Sequence, residues 1–357
     1  MLTIDKYEIS IQKANTSKLK EVIPSDLTFG ADYSDHMFTS DFRDGEWIRN
    51  RIEPFGDISL SPANCVLHYG QAIFEGMKVY KGKDGKIRFF RLYDNAKRFN
   101  ISAERMCMPA IPEDLFATAL KELINLDQDW VPNLEGCSLY VRPFMIADEV
   151  FLGVKPASKY KFMIICSPAS SYYKEPVRVK IENKYSRAAR GGVGYAKAAG
   201  NYAAAMYPSN LANKDGFHQL VWTDAVEHKY VEESGTMNLM FVIDNKLVTP
   251  SLESETILPG ITRDSVIKIS KDLGYDVEER QISVDELIQA HHNGLMQDAF
   301  GLGTAANIAP IESIGYDDGE ILLPPIEDRH ISNKISKTIS GIKYGEIADT
   351  YGWIEEL

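Results

Sequence analysis

The run Arg190-Gly191-Gly192-Val193-Gly194-Tyr195-Ala196-Lys197-Ala198-Ala199-Gly200-Asn201-Tyr202 sets one lysine among small residues, with a tyrosine five positions later. Small neighbours thin the hydration of an ammonium. Desolvation lowers its pKa, and the neutral amine that results attacks carbonyls. Taken alone, the run fits a glycine-rich surface loop with a solvated lysine better. Three further stretches combine useful groups. Glu232-Glu233-Ser234-Gly235-Thr236-Met237-Asn238 places acids and a glycine turn just before a strand. Leu258-Pro259-Gly260-Ile261-Thr262-Arg263 leads a turn into a helix, and Gly301-Leu302-Gly303-Thr304-Ala305-Ala306 is a second glycine turn with a hydroxyl.

A helix N-terminus offers backbone N–H groups and the positive end of a dipole to a phosphate. Gly301 and Gly303 permit close approach of an anion or another backbone, and Thr304 adds a donor. Arg98 would complete such a cup with a bidentate pair, although a surface salt bridge explains a lone helical arginine more simply. An amine, an acid, a phenol and a phosphate cup are what pyridoxal phosphate requires, its aldehyde a lysine and its ring nitrogen an acid. A dinucleotide site fits less well, because Gly191-Gly192-Val193-Gly194 lacks the G-x-G-x-x-G spacing. Neither a P-loop nor an H-E-x-x-H helix is present.

The elements that must position these groups read as follows. Met77–Tyr80 and Ile87–Arg91 flank Asp84-Gly85, a strong hairpin signal. Asp94–Met106 repeats apolar residues at helical spacing, and a second helix starts at Pro112 with apolar pairs every four residues. Strands follow at Ser138–Ile146 and Lys161–Cys166, then a Ser- and Pro-rich linker from Ser167 to Pro176. Val177–Ile181 is a strand, and a helix over Asn201–Asn213 should kink or restart at Pro208. Strands at Gln219–Trp222, Asn238–Ile243 and Lys246–Thr249 precede a helix opened by Pro259-Gly260 and stopped by Gly274. Ser283 and Glu286 form a capping box for a helix over Val284–Asn293, and a last helix spans Asn333–Tyr344. The pattern predicts an α/β (α+β) chain of two domains: an arm over 1–28, loosely held, a smaller domain over 29–170, a linker over 171–176 and a larger domain over 177–357.

The 357-residue length suits two cores, and a formal charge of −12 argues against nucleic acid or an anionic membrane as the main partner. Cys65, Cys107, Cys137 and Cys166 are scattered, with no C-x-x-C pair, so no metal site or disulfide framework is expected. No apolar run reaches the length of a membrane span, and a cytoplasmic protein is expected.

The ordered motifs Ser34-Asp35-His36-Met37, Leu67-His68-Tyr69, Phe74-Glu75-Gly76-Met77-Lys78, Lys81-Gly82-Lys83-Asp84, Ser138–Pro143, Gly191–Gly194, Gly200-Asn201-Tyr202, Glu233–Asn238, Leu258-Pro259-Gly260 and Phe300–Ala305 carry a resemblance. From about Phe29 to about Tyr344 the chain resembles the branched-chain amino acid aminotransferases. These are pyridoxal-phosphate enzymes of fold type IV, here of the longer, eukaryote-like subgroup. The resemblance implies transfer of amino groups between L-leucine, L-isoleucine or L-valine and 2-oxoglutarate, with the active site in an interdomain cleft of a homodimer. It implies that Lys197 forms the Schiff base and shuttles the proton, Tyr202 bonds the ring O3′ and Glu233 keeps the pyridine nitrogen protonated. Arg98, the N–H groups of Ile261 and Thr262, and Thr304 would bind the phosphate. Phe29, Phe74, Tyr140, Tyr172 and Thr236 would line the side-chain pocket, with the α-carboxylate at Thr304-Ala305. Arg142 would meet the distal carboxylate of glutamate, and Tyr69 and Val154 would reach in from the other subunit. Where some animal members carry a C-x-x-C pair, this chain reads Ala306-Asn307-Ile308-Ala309, so a thiol switch there is not inherited. A D-amino-acid aminotransferase, an aminodeoxychorismate lyase and a non-catalytic scaffold are the rival readings. The intact Lys197, Tyr202, Glu233 and Arg98 speak against the last.

Overall fold

The computed structural model describes residues 7–22, 27–170, 173 and 175–357. Tyr172 of the expected pocket, and with it part of the expected linker, lies outside the described residues. The chain divides into two compact units. The first joins Met1–Tyr172, Ala196–Gly200 and Ile342–Leu357; the second joins Tyr173–Tyr195 and Asn201–Gly341. Lys197, expected with the second domain, therefore packs with the first unit.

The first unit runs through β1 (Ser10–Ile11), β2 (His36–Arg43), β3 (Glu46–Pro54), α1 (Cys65–Tyr69), β4 (Ala72–Phe74), β5 (Met77–Lys81), β6 (Ile87–Phe90), α2 (Leu92–Arg105), α3 (Glu113–Leu126), β7 (Ser138–Ala147) and β8 (Tyr160–Ala169). The second carries β9 (Val177–Ile181), most of α4 (Ala199–Lys214), β10 (Gln219–Thr223), β11 (Val231–Ser234), β12 (Asn238–Ile243), β13 (Lys246–Pro250), α5 (Ile261–Asp272), β14 (Val277–Arg280), α6 (Val284–His292), β15 (Met296–Gly303), β16 (Asn307–Tyr316), β17 (Gly319–Leu322) and most of α7 (His330–Tyr344). The chain returns to the first unit with β18 (Ile354–Glu356).

In the first unit the strand order is β1-β3-β2-β8-β7-β5-β6-β18, with β4 also on β7. The hairpin around Asp84-Gly85 forms as expected: Gly85 has φ +80°, and Val79 pairs with Phe89. Helices α2 and α3 bury the residues that their spacing selects, Ala96, Phe99 and Ala103 on one, Leu115, Phe116, Ala119, Leu120, Leu123 and Ile124 on the other. Phe162 of β8 sits at the centre, its ring 5.4 Å from Phe99, 5.7 Å from Phe116 and 6.0 Å from Phe38.

Three features depart from expectation. Residues 36–54 form the paired strands β2 and β3, hidden in the sequence because buried charge interrupts their alternation. Asp41 lies inside, 2.5 Å from Lys161 and 3.4 Å from Arg51. Strand β8 continues to Ala169, through residues expected in the linker, because Ser138 and Leu139 carry the ladder to Ala169 and Pro168. The described part of the arm is tied down: Ser10 pairs with Arg51, and Ala14 N–H donates to His36 Nε2 at 2.8 Å.

The second unit's sheet has the order β11-β10-β9-β16-β15-β12-β13-β14, with β17 on β16. Helix α4 runs as one element through Pro208. Gly274 closes α5 with φ +84°. At α6, Ser283 accepts the Glu286 N–H at 3.0 Å, whereas the Glu286 carboxylate turns to Arg280, so the expected box is half closed. Among the described residues no helix is long and apolar enough to cross a membrane.

Because Phe162 is fully buried where both helices meet the sheet, Phe162→Ala should destabilise the first unit by about 3–5 kcal/mol. A lowered urea midpoint for that unit checks this; an unchanged midpoint contradicts the packing described.

Candidate active site

In the first unit the lysine is clamped by its own backbone. Lys197 N–H donates to Ser102 Oγ of α2 at 2.9 Å, its carbonyl accepts Phe74 N–H at 3.0 Å, and Ala198 bridges to Ile73. The loop is therefore not a free surface turn. The half-buried Lys197 carries its Nζ 4.9 Å from the Phe74 ring centroid. Arg142 covers the same ring at 4.6 Å and the Tyr140 ring at 5.2 Å, and its Nη2 donates to Tyr140 Oη at 2.8 Å. Tyr140 and Arg142 share a face because they are two apart on β7. Phe29 meets Tyr140 edge-on at 4.7 Å. Arg142 Nε is buried and has no hydrogen-bond partner among the described residues.

Behind this cluster Glu75, fully buried, grips Arg98 bidentately, Nε to Oε1 and Nη2 to Oε2, both at 2.7 Å. Oε2 also accepts the Gly76 N–H at 2.8 Å. A Cβ at Gly76 would run into the Tyr140 hydroxyl, which makes glycine the residue that lets β4, β5 and β7 close together.

In the second unit Glu233 is buried on β11. Its Oε1 lies 2.6 Å from Arg187 Nη2, and its Oε2 accepts Leu258 N–H at 3.1 Å and Asn238 Nδ2 at 3.2 Å. The same Arg187 Nη2 donates to the carbonyls of Gly194 and Thr256, each at 2.9 Å. A Cβ at Gly194 would stand 2.5 Å from the Thr256 carbonyl, so glycine is required for that approach. Tyr202, half-buried, lies in the first turns of α4. Helix α5 starts with Ile261 and Thr262, both buried, after the N-cap Gly260, which has no side chain to cap it. A Cβ there would collide with Asn238. The pairing of Leu302 with Asn238 brings the turn after β15 beside Thr236, whose carbonyl lies 3.1 Å from a Cβ built on Gly303. Thr304 and Ala305 follow in that turn, both half-buried.

Thus one unit assembles Lys197, Phe74, Tyr140, Arg142 and Phe29, with Arg98 held by Glu75. The other places Glu233, Ile261 and Thr262 around Leu258 and Asn238, and Thr236 beside Thr304 and Ala305. Tyr69 (41% exposed) and Val154 (87% exposed) join neither group. Sequence reasoning missed the roles of Glu75, Ser102 and Arg187. Glu75 stood inside a quoted motif, whereas a lone arginine and a lone serine carry no spacing signal.

The groups fit pyridoxal phosphate: an amine above an aromatic ring, a buried carboxylate fixed for a ring nitrogen, and an uncapped helix N-terminus of 12 residues for a phosphate. The family model for amino-transferase class IV matches residues 72–314. A branched-chain-amino-acid aminotransferase 2 of Bacillus subtilis (strain 168) is 44% identical over 356 residues, 99% of this chain and 98% of that protein. Among solved structures, a branched-chain aminotransferase from the thermophilic archaeon Thermoproteus uzoniensis, crystallised with norvaline, superimposes with a TM-score of 0.74. It is 26% identical and covers 90% of this chain and 99% of its own. A T.th. branched-chain amino acid aminotransferase with pyridoxamine 5′-phosphate gives 0.70 at 25% identity, covering 88% and 97%.

Replacing Glu75 by Ala leaves the buried Arg98 without the carboxylate that meets two of its nitrogens. The expected cost is about 3–5 kcal/mol in unfolding free energy. A loss under about 1 kcal/mol would show that Arg98 finds compensation elsewhere.

Proposed function

The chain belongs to the class IV aminotransferases and is a branched-chain-amino-acid aminotransferase that uses pyridoxal 5′-phosphate, and on that premise we propose how its residues divide the work. When bound, the cofactor supplies an aldehyde that condenses with amines and a ring that withdraws electron density from the substrate Cα. Lys197 Nζ would hold the cofactor and carry the proton between the substrate Cα and the cofactor's aldehyde carbon. Arg187, Leu258 N–H and Asn238 all stabilise negative charge on Glu233, which would hold the proton on the pyridine nitrogen. Tyr202 bonds the ring O3′. The N–H groups of Ile261 and Thr262, with Arg98 and Thr304, receive the phosphate.

The observation that carries the substrate reading is Arg142, set against the Phe74 and Tyr140 rings with a buried Nε that has no hydrogen-bond partner among the described residues. Phe29, Phe74, Tyr140 and Thr236, with Tyr172, accept a branched aliphatic chain, and Arg142 accepts the distal carboxylate of glutamate or 2-oxoglutarate. Thr304-Ala305 holds the α-carboxylate. An apolar pocket separates substrates differing by one methylene by only about 1–3 kcal/mol, so leucine, isoleucine and valine should all react. The branched-chain aminotransferase bound to norvaline supports this choice of side chain.

We further propose a homodimer acting in the cytoplasm. Leu67, Tyr69, Val150, Phe151, Leu152 and Val154 form an exposed apolar group in the first unit that a second copy would cover, bringing Tyr69 and Val154 to the partner's site.

Purified protein should be yellow, borohydride should fix the cofactor on Lys197, and Lys197→Ala should lower turnover by at least about 10²–10⁴-fold. Colourless protein that gains no visible absorbance with pyridoxal phosphate would sink the reading; reaction with D-alanine alone would redirect it. Arg142→Ala should cost about tenfold to a hundredfold in kcat/KM for glutamate and less for leucine. Equal losses would remove Arg142 from the distal-carboxylate role.

A further inference from the structure

Strand β11 contains an irregularity where its two acids sit. Val221 of β10 pairs with Ser234 and Thr223 pairs with Val231, so Glu232 and Glu233 together face Trp222 alone. Two residues opposite one is a β-bulge, which breaks the alternation that would send neighbouring side chains to opposite faces. One residue, Thr256, contacts both the cation paired with Glu233 and the second carboxyl, through different groups. Glu233 Oε1 lies 2.6 Å from Arg187 Nη2, Arg187 donates to the Thr256 carbonyl at 2.9 Å, and Thr256 Oγ1 donates to Glu232 Oε1 at 2.5 Å.

Two buried carboxyls thus feel one guanidinium, Glu233 by direct contact and Glu232 only through its field, and their surroundings differ. Glu233 receives Arg187 and two further N–H donors. Glu232 receives only Thr256, and its Oε2 is buried without a partner among the described residues. The carboxyl with fewer donors is the one that retains a proton. We propose that Glu232 is a positioning residue of the cofactor site: as a neutral carboxylic acid it leaves Arg187 to Glu233. This rests on the reading of Glu233 as the partner of the ring nitrogen.

The charged groups acting on Glu232 are Arg187, Glu233 and Asp224. Burial pushes the Glu232 carboxyl up to about 7; Thr256 and Arg187 oppose this, and Glu233 and Asp224 add to it. Burial works against ionisation of Asp224 as well. Donation from the N–H groups of Tyr230, Glu227, Lys229 and Val226 nevertheless holds it below the usual range, so it remains a charge. As pH rises through about 7, Glu232 ionises and a second anion draws on Arg187. The net positive field at Glu233 falls, and protonated forms of the bound cofactor become more stable. Glu232 also binds its proton more tightly folded than unfolded. Its contribution to stability is therefore complete below about 4.5 and is lost as pH rises through about 7.

The test has two arms. In cofactor-free protein, infrared spectroscopy should show the carbonyl stretch of a buried carboxylic acid at pH 6, fading as pH rises through about 7 and absent from Glu232→Gln. In the holoenzyme, the visible-band pH titration of Glu232→Gln should have a lower midpoint than wild type, because the variant never supplies the second anion. Thr256→Val, which removes the donor to Oε1, should keep the infrared band to higher pH, a readout that serves if the glutamine variant fails to fold. Absence of the band from wild type, its persistence in Glu232→Gln, or coincident visible titrations would overturn the proposal. Failure to take up pyridoxal phosphate would instead sink the functional reading, and the infrared arm would still decide where the proton resides.

Discussion

A guanidinium facing a carboxylate, both withdrawn from water, is the constraint on which each unit's chemistry depends. Arg98 with Glu75 serves one unit and Arg187 with Glu233 the other. Taking two ions out of water is costly, and their attraction offsets that cost only when further hydrogen bonds complete the geometry. Both pairs are completed in the same way, by a backbone N–H on the second carboxylate oxygen: Gly76 on Glu75 and Leu258 on Glu233. The backbone at 76 and 258 is therefore set by the electrostatics.

Close approach is the second requirement. Gly76 admits the Tyr140 hydroxyl, Gly194 the Thr256 carbonyl and Gly260 the Asn238 side chain, and none of these contacts leaves room for a Cβ. Each removes one methyl where packing would otherwise gain from it. What is obtained is fixed orientation: Tyr140 under Arg142, the lysine loop against residue 256, and Asn238 between Glu233 and the opening of α5. Orientation of this kind is what a proton transfer or a bidentate ion contact needs, since small displacements cost large factors in rate.

Sequence pattern revealed the parts of the fold that obey a single period. The helical repeat of α2 and α3, the Asp84-Gly85 hairpin and the Gly274 stop all read correctly because one local rule governs each. The pair β2 and β3 did not, since Asp41 is buried on a sheet among cations and so breaks the hydrophobic alternation. Strand β11 was hidden for a related reason: its bulge places two acids in succession, and adjacent acids look like a solvated loop. At the site, Lys197 and Glu233 stood in readable motifs. Ser102, which fixes the lysine backbone, and Arg187, which fixes Glu233, lie 95 residues before Lys197 and 46 before Glu233, respectively, with nothing in the local pattern to connect them.

The chain's formal charge of −12 makes the placement of its few inward-facing cations informative. On the proposed reading, one site must take both an aliphatic side chain and a carboxylate of similar length. A permanently exposed cation would reject the first, and a purely apolar wall would reject the second. The Arg142 guanidinium carbon lies 4.6 Å from the Phe74 ring centroid and 5.2 Å from that of Tyr140, so the cation is set against the aromatic wall. The weak hydration and planar shape of guanidinium suit it to this contact; an ammonium, more strongly hydrated and without a flat face, would not replace it. The same side chain can therefore meet leucine as hydrocarbon and glutamate as charge, without a second pocket or a moving loop.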